Sequence, residues 1–455
     1  MDKKRKVDSI EEEKEEEEGD ILPHSDLITP QEILSIFEAD DYKRLQENIE
    51  KGLIKNDDFS ADEQSNFAVA LFRIFTSAHR KSLLMEACEA GAIECVKVLL
   101  ANNFEVNYMD DNAETALSSA VKSGNIEIVN LLLTRSGFDL DLVYDTIHDH
   151  LYAPPSGFKL STEIAKLLIS RLPDVNRRIL GGHVLLNQAA FHGHIDIVRL
   201  LLDSGADPTV NDHGGGDALY VASMEGHLGI VKLIFESDSP PKPTAASINK
   251  ASLCACSENH TEVVRYLISK GADVNALDDD HRFGIDYAIR RNNIPLAKLL
   301  IESGFNVNAV RLNRSELFLA CAQKRTELVQ MLLDSSADPD LRYPDGSTLL
   351  LELVQDTCEK LADYTLYITL LLDRDANVNI AHERTGQTAL MIAGAAANAD
   401  LARLLLEHGA DVTQVNREGK SVLDMVGRTR SHAKVAELCQ AYIDSNRVDS
   451  KVILK

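Results

Sequence analysis

The stretch "AAFHGHIDIVRLLLDSGADP", Ala189 to Pro208, decides how the chain is read. It sets His192 and His194 close to Asp196, as a chemical site would, and then enters a hydrophobic run closed by Gly205. In "HIDIVRLLL" the residues Ile195, Val198 and Leu202 fall at i, i+3 and i+7 and make one helical stripe, which Ile197, Leu200 and Leu201 widen. A helix apolar over so wide an arc buries two sides against neighbouring helices. Gly205 follows it where a left-handed C-cap is needed, a conformation glycine adopts without steric cost.

The same grammar recurs along the chain. Gly91 and Gly124, Gly193 and Gly226, His227 and His260, and Gly271 and Gly304 are each 33 residues apart. Each unit has a short helix rich in small residues, a turn, a second helix ending in a leucine pair, and then Gly-Ala-Asp-Val-Asn or a relative. A fixed period of roughly 20 to 50 residues signals a stacked array. Gly271, Gly304 and Gly409 share the slot of Gly205, whereas Asn103, Ser336 and Asp375 fill it with side chains, which predicts strained turns there.

The segments "GHIDIVRLLLDSGADP", "NHTEVVRYLISKGADVNA", "AETALSSAVKSGNIEIVNLLL" and "GQTALMIAGAAANADLARLLLEHGADV" resemble the ankyrin-repeat family. The resemblance implies an all-α repeat solenoid of helix pairs joined by β-hairpin-like fingers, over Ala78 to Tyr442, or about 11 units. The third unit keeps "STEIAKLLISR" but precedes it with "VYDTIHDHLYAPPSGFK", which lacks the usual first-helix pattern and predicts a distorted or loop-expanded unit. The ninth unit is long, with an insertion near "QDTCEKLADY". In "SDSPPKPTAAS" three prolines remove backbone donors. Either of these last two places is expected to bend the array or divide it.

The flanks differ from the array. Residues 1–28 carry "KKRK" and then "EEEKEEEE", blocks of like charge that stay solvated and disordered. Lys3, Lys4, Arg5 and Lys6 resemble a short nuclear-import signal; the alternative is a charge run with no function. Residues 29–77 read as a helical N-terminal region and a candidate degenerate cap: a helix pair interrupted near Asp40-Asp41, then a helix over about Asp62 to Ala78. Residues 443–455 read as a C-terminal tail.

Composition narrows the function classes. With 47 basic and 72 acidic side chains the formal net charge is −25, which opposes a nucleic-acid backbone or an anionic membrane surface. No apolar run is long enough for a membrane span, and the N-terminus lacks the apolar core of a secretory signal. The expectation is an intracellular protein, cytoplasmic or also nuclear, with no direct nucleic-acid partner and no membrane insertion. Seven cysteines, an odd count without a CxxC pair, fit reduced thiols packed in helices.

Chemical sites are weak. His192 and His194 have no recognisable third and fourth ligand for a metal, and the same holds for "HDH" (His148, His150) and "CAC" (Cys254, Cys256). In the repeat register Cys256 matches Ser223 and Cys88, a small core position. Gly214 to Gly216 lack the strand, helix and lysine of a phosphate loop, and Asp278 to Asp280 lack the alternating ligands of a calcium loop. No catalytic residue, metal or cofactor is assigned, and the chain reads as a non-enzyme. The family resemblance also implies candidate hydroxylation of Asn107 and Asn275, whose alternative role is to hold the hairpin.

A stack of helix pairs serves by its surface. The array is expected to act as a non-enzymatic scaffold whose concave face binds a protein with acidic or apolar anchors. The alternative is a substrate-recognition adaptor that recruits enzymatic machinery through residues 29–77. The resemblance places partner choice in the pair before the turn glycine: Phe191 and His192, Met224 and Glu225, Arg290 and Arg291, Gln323 and Lys324, with Lys122 and Ser123, and Arg428 and Thr429, in the same row. Met109, Asp111, Asn112, Leu277, Asp279, Asp280 and Arg282 supply fingertips.

Overall fold

The computed structural model describes residues 30–51, 54, 81–152, 160–238, 240–359, 363–427 and 429–452. The chain divides into two compact units, the first ending at Leu180 and the second beginning at Gly181. The expected dividing points at the proline-rich linker and the ninth repeat are not where this division falls. Gly181 and Gly182 there both have positive φ, +77° and +75°.

In the first unit the helix pairs are Pro30–Glu38 with Tyr42–Glu50, Leu83–Glu89 with Ile93–Ala101, Ala116–Lys122 with Ile126–Leu133, and Asp141–Tyr152 with Thr162–Ile169. The interruption expected near Asp40-Asp41 is present, with Asp40 in a left-handed conformation at φ +49°. The helix expected over about Asp62 to Ala78 lies outside the described residues. The first helix of the third repeat departs from the usual pattern in length, 12 residues where the preceding unit has seven. Leu142, Val143, Thr146, Ile147, His150 and Leu151 are buried at helical spacing, and they sustain it.

The second unit repeats the scheme from Leu185–Phe191 with Ile195–Asp203 up to Ala389–Ala395 with Ala399–Glu407, then Val422–Met425 and Arg430–Val452. The linker after the fifth repeat leads into a first helix of 13 residues, Ala245–Ser257, which Thr244 caps by accepting from Ser247 N. The ninth repeat takes up its insertion partly by extending Leu349–Cys358 to 10 residues. The last helix runs through residue 442 without a break.

Core rows follow the period. Ala87, Ala120, Ala189, Ala222, Ala255 and Ala288 in first helices are fully buried, and so are Val96, Val129, Val198, Val231 and Val264 in second helices. The alanines let neighbouring first helices approach closely, while the branched residues fill the seam behind them. Cys88, Ser223 and Cys256 occupy one buried slot, as their register implies.

The fingers carry little strand. Val310–Arg311 pairs antiparallel with Arg314–Ser315, and single bridges join Met109 to Thr115, Leu277 to Phe283 and Arg342 to Thr348. Side chains do the stapling instead. Asn107 donates to Gly137 O at 2.8 Å and accepts from Asp139 N at 2.8 Å, so one amide holds the next finger through both its ends. Asn275 makes the same pair of bonds to Gly304 O and Asn306 N, and Asn379 to Gly409 O and Asp411 N.

Candidate functional site

The histidines of the opening stretch resolve by geometry. Gly193 sits at φ +78°, and a Cβ there would lie 2.7 Å from the His227 ring. His227 Nε2 is 3.0 Å from the Phe191 carbonyl, and His260 Nε2 is 3.0 Å from the Met224 carbonyl. A carbonyl only accepts, so each Nε2 carries the proton. The glycine thus leaves space for the imidazole of the following repeat, which ties the two repeats together. Arg325 performs the same task by donating to Arg290 O at 3.1 Å. Among the described residues no group of three or more His, Cys, Asp or Glu is placed to hold a metal.

The pair positions lie at the ends of the first helices, where their carbonyls serve these ties. Phe191 is 36% exposed and meets His192 edge-on at 5.0 Å. Glu225, Arg290, Arg291 and Gln323 are exposed and Met224 is half-buried. Arg291 faces Glu258 at 3.7 Å, so the cations of this row do not stand as an unopposed basic patch. Lys324 is corrected: it occupies the left-handed turn slot itself, at φ +56°, and its ammonium lies 5.8 Å from the Tyr364 ring centre. The helices Ile294–Glu302 and Thr326–Asp334 begin one residue closer together than the period, which moves the pair to Ala322 and Gln323. Arg428 and the Lys3 to Lys6 cluster lie outside the described residues.

A groove of which the sequence marks only the fingertips Leu277 and Asp279 lies in the second unit. It encloses about 400 Å³ between Tyr220, the helix Ala245–Ser257, the finger segment Ala276 to Asp279, and Tyr287. Leu253 and Leu277 supply apolar surface, and Leu277 is 46% exposed. Lys250 Nζ lies 4.9 Å from the Tyr220 ring centre and donates to Gly215 O at 2.9 Å. Tyr287 donates its hydroxyl to Asp278, whose other oxygen accepts from Asp280 N and Arg282 N. Tyr220 is pushed up to about 12 by its hydrogen bond with Cys254, by burial, and by the charges of Asp279 and Glu258. The register carries a faint signal of this site: Tyr220 and Leu253 share one slot, and Cys254 and Tyr287 share the next.

A second charged cluster is buried. Asp286 and Glu316 are wholly enclosed, and Arg311 pairs with Asp286 and lies 4.0 Å from Glu316. Burial first, and then the Asp286 charge, push the Glu316 carboxyl up to about 8. Asp286 also accepts from Phe283 N at 2.9 Å, so this cluster holds the finger onto two helices.

Stacked helix pairs tied through turn residues and fingers define an all-α repeat solenoid. The chain belongs to the ankyrin-repeat family: a family model described as ankyrin repeats (3 copies) matches residues 60–143, 156–247, 219–311, 252–343, 317–416 and 362–449. An ankyrin repeat and KH domain-containing protein of Caenorhabditis briggsae is 33% identical over 128 residues, which is 28% of this chain and 5% of that protein. The B-cell lymphoma 3 protein homolog of Mus musculus is 29% identical over 133 residues, 28% of each chain. The ankyrin repeat and KH domain-containing protein mask of Drosophila melanogaster is 37% identical over 108 residues, 24% of this chain and 2% of that one. The matches therefore span less than a third of each relative. Ankyrin repeats are in general protein-interaction modules, and among the described residues no helix is long and apolar enough to cross a membrane.

Proposed function

We propose that the chain is a non-enzymatic scaffold that holds a segment of a protein partner on the face made by first helices and fingers of its second unit. The observation that carries this reading is the groove of about 400 Å³ with Leu277 exposed at its edge. An apolar side chain left in water beside an open groove gains free energy when a partner covers it, at about 25 cal/mol per Å² removed from solvent. Phe191 and Met224, at the ends of neighbouring first helices, extend the same kind of surface.

A photo-crosslinking residue placed at Leu277, compared with one at Glu262 on a second helix, tests the assignment. The expected outcome is a set of adducts formed from Leu277 and lost when Leu253→Glu is added. Equal labelling from both positions, or labelling that survives Leu253→Glu in a folded chain, would assign docking to another face.

A further inference from the structure

We propose that the groove recognises a protein segment in which an apolar side chain is flanked by lysine or arginine; the inference rests on the docking reading above and names its partner chemistry. The floor sets the first half of the requirement. Leu253, Leu277, Ala246 and Ala276 give the cavity its apolar lining, and the two alanines are small. A side chain of leucine or methionine size entering there is removed from water on several sides.

The charges around the floor set the second half. Lys250 lies within the lining, but its ammonium is already committed to the Gly215 carbonyl and the Tyr220 ring. The carboxylates outnumber it. Asp278 and Asp279 line the groove and Asp279 is exposed, while Glu225 acts electrostatically on Cys254 in the lining; Glu258 does so too but is already met by Arg291. Lys250 already covers the Tyr220 ring, so Tyr287 is the lining ring on which a partner guanidinium or ammonium would rest favourably. An acidic partner segment would face Asp279 without a free cation inside the groove to answer it. The long-range field points the same way, since the chain as a whole carries a charge of −25, which speeds the approach of a basic segment.

The test is a selection from a displayed library of random peptides on the full chain at physiological salt, followed by affinity measurements on the enriched peptides. Asp279→Lys and Leu277→Ser alter the groove, and Glu262→Lys makes the same charge change on a second helix as Asp279→Lys. Enriched peptides are expected to join an apolar residue to lysine or arginine. Their affinity should fall about three- to tenfold with Asp279→Lys and with Leu277→Ser, and stay nearly constant with Glu262→Lys. Peptides that lack cations yet depend on Leu277 would overturn the proposed chemistry and leave the docking groove standing. Equal losses with Glu262→Lys would show attraction to general charge and overturn it as well. No enrichment, or enrichment indifferent to Leu277→Ser, would overturn the groove reading itself together with this inference.

Discussion

His227 Nε2 stands 3.0 Å from the carbonyl oxygen of Phe191, 36 residues earlier, and the bond passes over Gly193, where no side chain would fit. Two effects meet at that glycine: a positive φ that side chains resist and a ring that needs the space. Gly193→Ala is expected to destabilise the second unit by about 1–3 kcal/mol, through backbone strain and the clash with the imidazole. His227→Ala loses the hydrogen bond, about 1 kcal/mol, but also removes the clash. Denaturant unfolding of both single variants and the double variant checks this. The double variant should be less destabilised than the sum, and strict additivity would show that the ring and the glycine do not interact.

At the other end of the described chain Asp40 does the work of a cap it does not belong to. Its carboxylate accepts from Glu94 N at 3.2 Å and Cys95 N at 3.0 Å, while Ala92, the residue at the start of that helix, offers no capping side chain. The negative charge also meets the positive end of the helix dipole. Asp40→Ala should therefore cost about 0.5–2 kcal/mol, as for loss of an N-cap. Asp40→Asn should recover most of it, and hydrogen exchange in Ile93–Ala101 reads both. An Asp40→Ala variant whose helix exchanges at the wild-type rate would remove Asp40 from this role.

What the sequence revealed and what it hid follow from the range of the interactions. The turn slots were legible because left-handed backbone selects glycine locally, and Asn103, Ser336 and Asp375 do adopt φ of +58°, +69° and +62°. The groove was legible only at its fingertips, Leu277 and Asp279: Tyr220, Leu253 and Cys254 carry the residue types of a core helix, and only the fold shows that Tyr220 and Cys254 stay half-buried beside the buried Leu253. The roles of Asp40, Asp286 and Glu316 were not legible because their partners stand elsewhere in the chain, at Cys95 and Arg311. Lys324 was misplaced by the single residue that shortens its repeat.

Glu316 makes stability depend on pH in the direction opposite to most carboxylates. Folded, it holds its proton up to about 8, whereas an unfolded glutamate releases it near about 4.3. Between those values the folded chain binds more protons, so the stabilising contribution is whole below the lower value and is lost as pH rises through the upper one. Relative to Glu316→Gln, which stays neutral, the wild type should lose stability from about pH 5 to about pH 8 and level off above, at no more than about 1.4 kcal/mol per pH unit. Denaturant unfolding of both proteins across that range measures the difference. A difference that stays flat, or grows in favour of the wild type, would mean the carboxyl is ionised in the fold.

The strained turn slots offer a gain rather than a loss. Ser336 holds φ +69° after the helix Thr326–Asp334, in the slot where Gly205, Gly271, Gly304 and Gly409 stand. A serine there suffers the Cβ contact that glycine avoids, while glycine adds entropy to the unfolded chain. The first effect is about 1–2 kcal/mol and the second about 0.5–1 kcal/mol, so Ser336→Gly should stabilise by up to about 1.5 kcal/mol. Asn103→Gly should gain less, because asparagine tolerates the left-handed region better than serine. Thermal unfolding should rank Ser336→Gly above Asn103→Gly. The reverse order would mean that the neighbouring finger, rather than the slot residue, sets the conformation of these turns.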